Sequence, residues 1–337
     1  MSTILQSDIW ARFQQVNGHT VIRRSGEGWS YLATVEGGAT GKYLYAPYGP
    51  VAQNAQVFDA ALASLREEAK KQHCLFVRIE PTQEQIWGME APREFLVSRG
   101  ARLAPRQVQP AHTQIISLAG TEDEILKGMK STNRNLHRNI HKKGVVIESS
   151  QNPADMPILF KFLAETADRN GFNRQQDDYL SLVAETLMPA DAASLYIAYL
   201  VTEDEKGESS REPIAAAFVY DSDDTRVYAH AAASFEHRKL SAGIPLVTTF
   251  ILDAKAKGLK YVDLFGIAPE NEPDHEWAGF TKFKKSFGGE SVEYPGTWDV
   301  PVYSLGYEAY LAVYKARPVI SEKLGTLKSR LKKLLKK

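Results

Sequence analysis

The sequence predicts an α/β (α+β) chain built of two related units, each a mixed sheet flanked by helices. Three observations lead there. A strand carrying a tyrosine runs through a loop into an amphipathic helix and then a second apolar strand, and this happens twice. The first copy is Tyr45, a helix over 57–71 and a strand over 75–79; the second is Tyr228, a helix over 243–257 and a strand over 261–265. The intervals from Tyr45 to Phe76 and from Tyr228 to Tyr261 are 31 and 33 residues, enough for one strand–helix–strand crossover. A chain of 337 residues also has the length of about two domains, and no long heptad insertion interrupts it, so no coiled-coil arm is expected. Two copies of one module make the cleft between them the default ligand site.

The elements follow in order. Strands are expected over 20–22, 29–35 and 42–46, because β-branched and aromatic residues alternate with polar ones there. Pro47-Tyr48-Gly49-Pro50 turns the chain into the first module helix. A short helix over 93–98 ends at Gly100, and a strand follows over 113–118. Thr121 and Glu124 form a capping box. The helix they start keeps Ile125, Met129, Leu136 and Ile140 near one stripe and reaches Gly144 unbroken. A strand over 145–148 comes next. Pro153 at a first helical position opens a helix to about Asn170, and Asp177 or Asp178 caps the one after it. Strands over 195–200, 214–220 and 226–232 read as consecutive and antiparallel. The strand over 261–265 then gives way to Phe280, Phe283 and Phe287, spaced to share one helical face from which Lys284 diverges.

Charge is balanced overall, with 41 basic and 41 acidic residues, but unevenly placed. Lys127–Lys143 carries +6 and Lys315–Lys337 carries +8, leaving −14 on the rest. Basic patches on an acidic body bind polyanions despite a neutral total. Arg134, Arg138 and Lys142 are therefore candidates for an RNA-facing surface. His137 and His141, at i and i+4, lack the glutamate or third ligand of a zinc site, and no metal is expected. The single cysteine, Cys74, excludes an internal disulfide and fits a reducing compartment. No apolar run has membrane-spanning length and the N-terminus has no signal pattern, so a cytoplasmic protein is expected.

The module resembles the acetyl-CoA-holding half of an acetyltransferase fold, whose pyrophosphate loop is Arg/Gln-x-x-Gly-x-Gly/Ala. The nearest match is Arg238-Lys239-Leu240-Ser241-Ala242-Gly243, with serine at the first glycine; the first copy has no such loop. Over nearly its whole length the chain is similar to the Fem family of peptidoglycan aminoacyltransferases. The motifs that carry this are Leu5-Gln6-Ser7 with Trp10 and Phe13, Tyr45 to Val51, and Asn133-Arg134-Asn135 with Arg138-Asn139-Ile140. Asp263-Leu264-Phe265-Gly266-Ile267 and Phe283-Lys284 with Phe287-Gly288 complete them.

The resemblance implies two acetyltransferase-like (GNAT-like) domains, 1–148 with 299–337 and 149–298, the first holding the precursor and the second the donor side. It implies transfer of an amino acid from aminoacyl-tRNA to a UDP-linked or lipid-linked muropeptide. It gives Lys284, with Phe283 beside it, the role of stabilising charge during transfer, and Arg174 a grip on the precursor's phosphates. Gln14, Asp178 and His230 stand where some members have a lysine and two tyrosines lining the precursor groove, and Phe265 replaces the first glycine of a Gly-Gly-Ile. An activated ester needs only proximity to the amine and a positive group for the oxyanion, so no cofactor is expected beyond aminoacyl-tRNA as co-substrate. Asp263, Glu80 and Glu276 are the candidate bases. An acetyl-CoA-dependent N-acetyltransferase and a non-catalytic tRNA- or envelope-binding protein on the same fold remain open.

From Val319 the tail places Ile320, Leu324, Leu327, Leu331 and Leu334 on one helical stripe among lysines and arginines. Such a helix docks on the first domain or lies on the anionic inner leaflet as a peripheral contact. Co-sedimentation of the protein with anionic but not neutral liposomes, lost on deleting Lys328–Lys337, is the expected outcome. Absence of binding at low salt refutes the membrane reading.

Overall fold

The computed structural model describes residues 1–38, 41–82, 92–171, 173–203, 207–272 and 274–316, and the chain divides into two compact units. The tail stripe from Val319 lies outside the described residues. The smaller unit joins His19–Gln109 to the segment from Pro295 onward; the larger joins Met1–Gly18 to Pro110–Tyr294.

The smaller unit is a seven-stranded sheet of β1 (Val21–Gly26), β2 (Trp29–Gly38), β3 (Gly41–Ala46), β4 (Val51–Ala52), β5 (Cys74–Ile79), β6 (Arg102–Leu103) and β14 (Trp298–Pro301). Its order is β1-β2-β3-β5-β14-β6, with β4 on β2. Helix α2 (Ala55–Lys71) begins where the Asn54 side chain accepts the Val57 N–H at 3.1 Å. Phe58, Leu62 and Leu65, spaced for one helical face, bury against Leu44, Val77, Ile79 and Val300. Each such side chain contributes about 1.5–3 kcal/mol when fully buried. The parallel pairing of β3 with β5 is the expected crossover of the first module.

The larger unit holds the second sheet, ordered β13-β7-β12-β11-β10-β9-β8. Its strands are β7 (His112–Ser117), β8 (Val145–Ser150), β9 (Ala193–Glu203), β10 (Ser209–Asp221), β11 (Thr225–Ala233), β12 (Tyr261–Gly266) and β13 (Glu290–Glu293). Strands β9, β10 and β11 are antiparallel neighbours as expected, and β11 pairs in parallel with β12 across helix α8 (Gly243–Ala256), which is the second module. Phe250, Ile251, Leu246 and Ala254 of α8 bury against this sheet.

The division differs from the expected 1–148 plus 299–337 and 149–298. Strand β7 pairs with β12 and β13, and β8 pairs with β9, so residues 110–148 are part of the larger sheet. Helix α1 (Asp8–Val16) lies on α7 (Asp177–Leu187), with Phe13 edge-on to Tyr179 at 5.2 Å, which brings the first residues there too. Strand interval and periodicity show that a pairing exists; they do not say which distant strand completes it.

Two local expectations are corrected. The basic helix is not continuous: α4 (Glu122–Gly128) stops, Met129 is extended with ψ 159°, and α5 (Ser131–Asn139) restarts. The break is tertiary. Lys130 N–H donates to the Ser286 carbonyl at 2.9 Å, and a Cβ on Gly288 would stand 2.6 Å from the Gly128 carbonyl oxygen, so the turn is pressed onto a neighbouring segment. Neither Asp177 nor Asp178 caps α7, whose N-cap is Gln176 without a side-chain bond. Asp177 instead pairs with Arg174.

Among the described residues each unit buries a bidentate ion pair; in the larger, Arg226 Nε and Nη2 each donate to Asp221 at 2.7 Å. In the smaller, Arg78 Nε and Nη2 donate to Asp299 at 2.7 and 2.9 Å, and the Tyr307 hydroxyl donates to the same carboxylate at 3.1 Å. Arg78 lies on β5 and Asp299 opposite it on β14, so this pair fastens the returning segment. Replacing Arg78 alone by Met leaves a buried, uncompensated carboxylate and should cost about 3–5 kcal/mol in urea unfolding, whereas Arg78→Met with Asp299→Leu should recover most of the loss. Equal instability of single and double variants would contradict this account.

Candidate active site

Strand β12 is where the larger sheet opens. It pairs with β11 only from Tyr261 to Asp263, opposite Thr225 to Val227, and its register against β7 shifts between Asp263 and Gly266. Within that bulge Phe265 sits at φ 64°, a left-handed conformation that costs a phenylalanine energy. Asp263 holds it there: one carboxylate oxygen accepts the Phe265 N–H at 2.7 Å and the Thr113 hydroxyl. Gly266 follows of necessity, since a Cβ would meet the Trp277 ring at 2.9 Å and Pro110 at 3.0 Å.

Onto the Gly266 carbonyl, Lys284 Nζ donates at 2.7 Å. Lys284 rides on α9 (Ala278–Lys285), which Phe287 anchors in the core, edge-on to Phe283 at 5.1 Å. Behind it, Asn133 Nδ2 donates to the Ser286 hydroxyl at 2.8 Å and to its carbonyl at 3.2 Å. Burial lowers the Lys284 pKa to about 8, with the nearby Asp263 opposing that shift. Burial likewise raises the Asp263 carboxyl above the usual range, against the Thr113 and Phe265 hydrogen bonds. The result is a half-buried ammonium beside a buried carboxylate, with two N–H donors to spare. Of the other candidate bases, Glu80 lies in the smaller unit. It is occupied by the Thr297 hydroxyl at 2.6 Å, the Tyr45 hydroxyl at 2.6 Å and the Gln109 N–H at 2.8 Å. Glu276 is exposed.

A second cluster forms around α1. Gln14 is one turn beyond Trp10, whose ring centroid is 6.1 Å from Tyr220. Tyr220 in turn lies 6.0 Å from His230. Gln14 Oε1 and the Tyr220 hydroxyl are buried without a hydrogen-bond partner among the described residues, an arrangement that a polar ligand atom or water relieves. Burial drives the His230 pKa down to about 4, so its imidazole is neutral near pH 7. Tyr220 had no sequence signal, being one aromatic in an apolar strand. Asp178 is exposed on the first turn of α7, while Arg174 is held by Asp177 just before that helix.

A cavity of about 320 Å³ opens in the larger unit where β11 runs on beyond its pairing with β12. Arg169, Ser234, Phe235, Arg238, Gly243 and Phe280 line it. Both guanidinium groups stack on Phe235, at 4.9 and 4.0 Å from its centroid, and both Phe235 and Phe280 are about half exposed, at 51% and 54%. Ser241, at the position of the first loop glycine, takes φ 52°, the conformation a glycine adopts freely. The loop shape therefore survives the substitution. Of the basic helix, Arg134 folds back onto the Lys127 and Met129 carbonyls, whereas Arg138 and Lys142 are exposed.

The FemAB family model matches residues 100–206 and 201–315. The chain belongs to the FemAB family. A FemAB relative, the lipid II:glycine glycyltransferase of Staphylococcus epidermidis (strain ATCC 35984), is 22% identical over 333 residues, covering 80% of each chain. The crystal structure of FemX superposes with a TM-score of 0.78 at 19% identity, covering 91% of this chain and 94% of that one. A tandem GNAT protein from clavulanic acid biosynthesis gives 0.51 at 14% identity over 84% and 83%, and the fold is a duplicated GNAT-like one. The bulge demands a left-handed φ at Phe265, a conformation that glycine adopts freely.

His230 gives a pH signature. Its folded pKa lies below the ordinary value of about 6.5, so the unfolded chain binds the extra proton first. The stability it contributes is present above about pH 6.5 and lost as pH falls toward 4. Melting temperature measured from pH 7 to pH 4 should drop less steeply for His230→Phe than for wild type; parallel curves would place the imidazole in water.

Proposed function

We propose that the protein transfers an amino acid from aminoacyl-tRNA to the stem-peptide amino group of a peptidoglycan precursor, building a cross-bridge. The observation that carries this is Lys284, an ammonium fixed on the Gly266 carbonyl beside buried Asp263, in a chain of the FemAB family. The reaction starts from an ester. The acceptor nitrogen attacks the ester carbonyl carbon, and the tetrahedral oxyanion forms against the two free N–H groups of Lys284. Collapse expels the ribose hydroxyl as the amide closes, and the proton surrendered by the amine ends on that hydroxyl. A low-dielectric site strengthens the ammonium's hold on the oxyanion, and the pKa of about 8 leaves Lys284 charged at pH 7.

The donor reading is supported by the cavity beside α8. Two arginines and two half-exposed phenylalanines suit the phosphates and bases of a single-stranded 3′ end. On the acceptor side, Arg174 would leave Asp177 for a phosphate, and the unpartnered Gln14 and Tyr220 atoms with neutral His230 would meet uncharged polar groups of the precursor. A relative whose name assigns glycine transfer to lipid II supports a muropeptide acceptor. Such chemistry belongs in the cytoplasm, with the basic tail against the inner leaflet when the precursor is lipid-linked. A second reading draws on Ser241: a preserved loop conformation also suits the pyrophosphate of coenzyme A in an N-acetyltransferase.

The test combines purified protein with charged total tRNA and either UDP-linked or lipid-linked muropeptide, with products read by mass spectrometry. Addition of an amino acid is expected, and acetylation from acetyl-CoA instead would establish the second reading. Lys284→Met should lower kcat about 10²–10³-fold without loss of folding. Because the charged form stabilises the oxyanion, the wild-type rate should fall above about pH 8, and residual Lys284→Arg activity should lack that limb. Activity of Lys284→Met within a few-fold of wild type would remove Lys284 from the mechanism.

A further inference from the structure

The exposed face of α5 and the 3-10 turn that continues it (Ile140–Lys143) takes no part in the transfer chemistry. Lys130, Arg138, Lys142 and Lys143 are all exposed there and have no acidic partner within ion-pair distance among the described residues. Elsewhere in the protein many basic side chains are paired: Arg24 and Lys71 with Glu68, Arg99 with Asp59, Arg211 with Glu148, Lys257 with Asp191 and Asp221, and Lys285 with Glu270. Exposed Thr132, Asn135 and Asn139 lie among these cations. Neutral donors and acceptors set between cations suit a sugar–phosphate backbone with 2′-hydroxyls, whereas a lipid-binding helix would present large apolar side chains. Leu136 and Ile140 instead turn inward and pack in the core of the unit.

Hydrogen bonds and packing fix this face on both sides. At its N-terminal end, Asn133 and the Lys130 N–H hold Ser286, two residues after Lys284. Along its length α5 packs on α8, whose first residue, Gly243, lines the cavity. A duplex lying on α5 would thus sit on the same unit as the cavity and the lysine. We infer that the α5 face docks the double-stranded acceptor stem of the RNA donor, while the cavity lined by Arg169, Arg238, Phe235 and Phe280 takes its single-stranded end. This rests on the aminoacyl-tRNA reading and adds to it a second, structure-reading surface.

The experiment measures binding of an acceptor-stem RNA hairpin with a single-stranded 3′ tail, and of the tail alone, to wild type and to Arg138→Gln/Lys142→Gln/Lys143→Gln. Fluorescence anisotropy across a salt series is the readout, with thermal melting as the folding control. The triple variant should bind the hairpin at least tenfold more weakly and flatten the log–log salt slope by about two to three, at about 0.7–0.9 for each phosphate left without its cation. It should keep its affinity for the tail within about twofold. Hairpin affinity and slope equal to wild type would overturn the inference and leave α5 a solvated face. Loss of binding to anionic phosphatidylglycerol vesicles with RNA binding intact would overturn it in favour of a membrane face. Wild-type protein that binds neither RNA would refute the donor reading itself, and this inference with it.

Discussion

The hydrogen bond from Lys284 to the Gly266 carbonyl, at 2.7 Å, depends on a stretch of backbone that the rest of the larger unit exists to hold. A strand of regular pleat would turn that carbonyl into the sheet. Here the register slips between Asp263 and Gly266, Phe265 accepts a left-handed φ, and the carbonyl is released to meet the lysine. Strain of this kind, of order 1–3 kcal/mol, persists only where surrounding contacts over-determine it. Asp263 supplies two of those contacts, and the Trp277 and Pro110 packing at Gly266 supplies another.

The same arrangement decides the electrostatics. Asp263 and Lys284 are both drawn out of water, and each is pushed toward its neutral form by burial while the other resists the push. A fully exposed lysine would spend its charge on solvent; one with no carboxylate nearby would be pushed further toward its neutral form. Between those limits the ammonium keeps its charge at pH 7 in a medium of low dielectric. The parting of β11 from β12 after Val227 leaves Ala231, Ala232 and Ala233 lining the cavity.

Duplication of a module has not produced two equivalent sites. In the larger unit the strand ends in a bulge with a lysine nearby. In the smaller unit the corresponding strand runs into Glu80, whose carboxylate is occupied by Thr297, Tyr45 and Gln109. One carboxylate works as a neighbour to a charged donor; the other serves as a pin for loops. The loop before α8 keeps a glycine-like turn at Ser241, while the first copy has no such loop.

What the sequence by itself determined is what local chemistry encodes. The alternation of β-branched residues, the Thr121 capping box, the left-handed stop at Gly144 and the two strand–helix–strand intervals all reappear in the structure. Each depends on residues within a turn or a crossover of one another. The Phe283–Phe287 contact beside Lys284 was also legible, because that aromatic spacing is contiguous. Tertiary structure alone decided the rest: that β7 completes the larger sheet and that contact with Ser286 and Gly288 breaks the basic helix at Met129. It also brought Arg169 onto Phe235, far along the chain. Those partners are distant in the chain, and their meeting is set by which surfaces bury together, a quantity that no window of sequence contains.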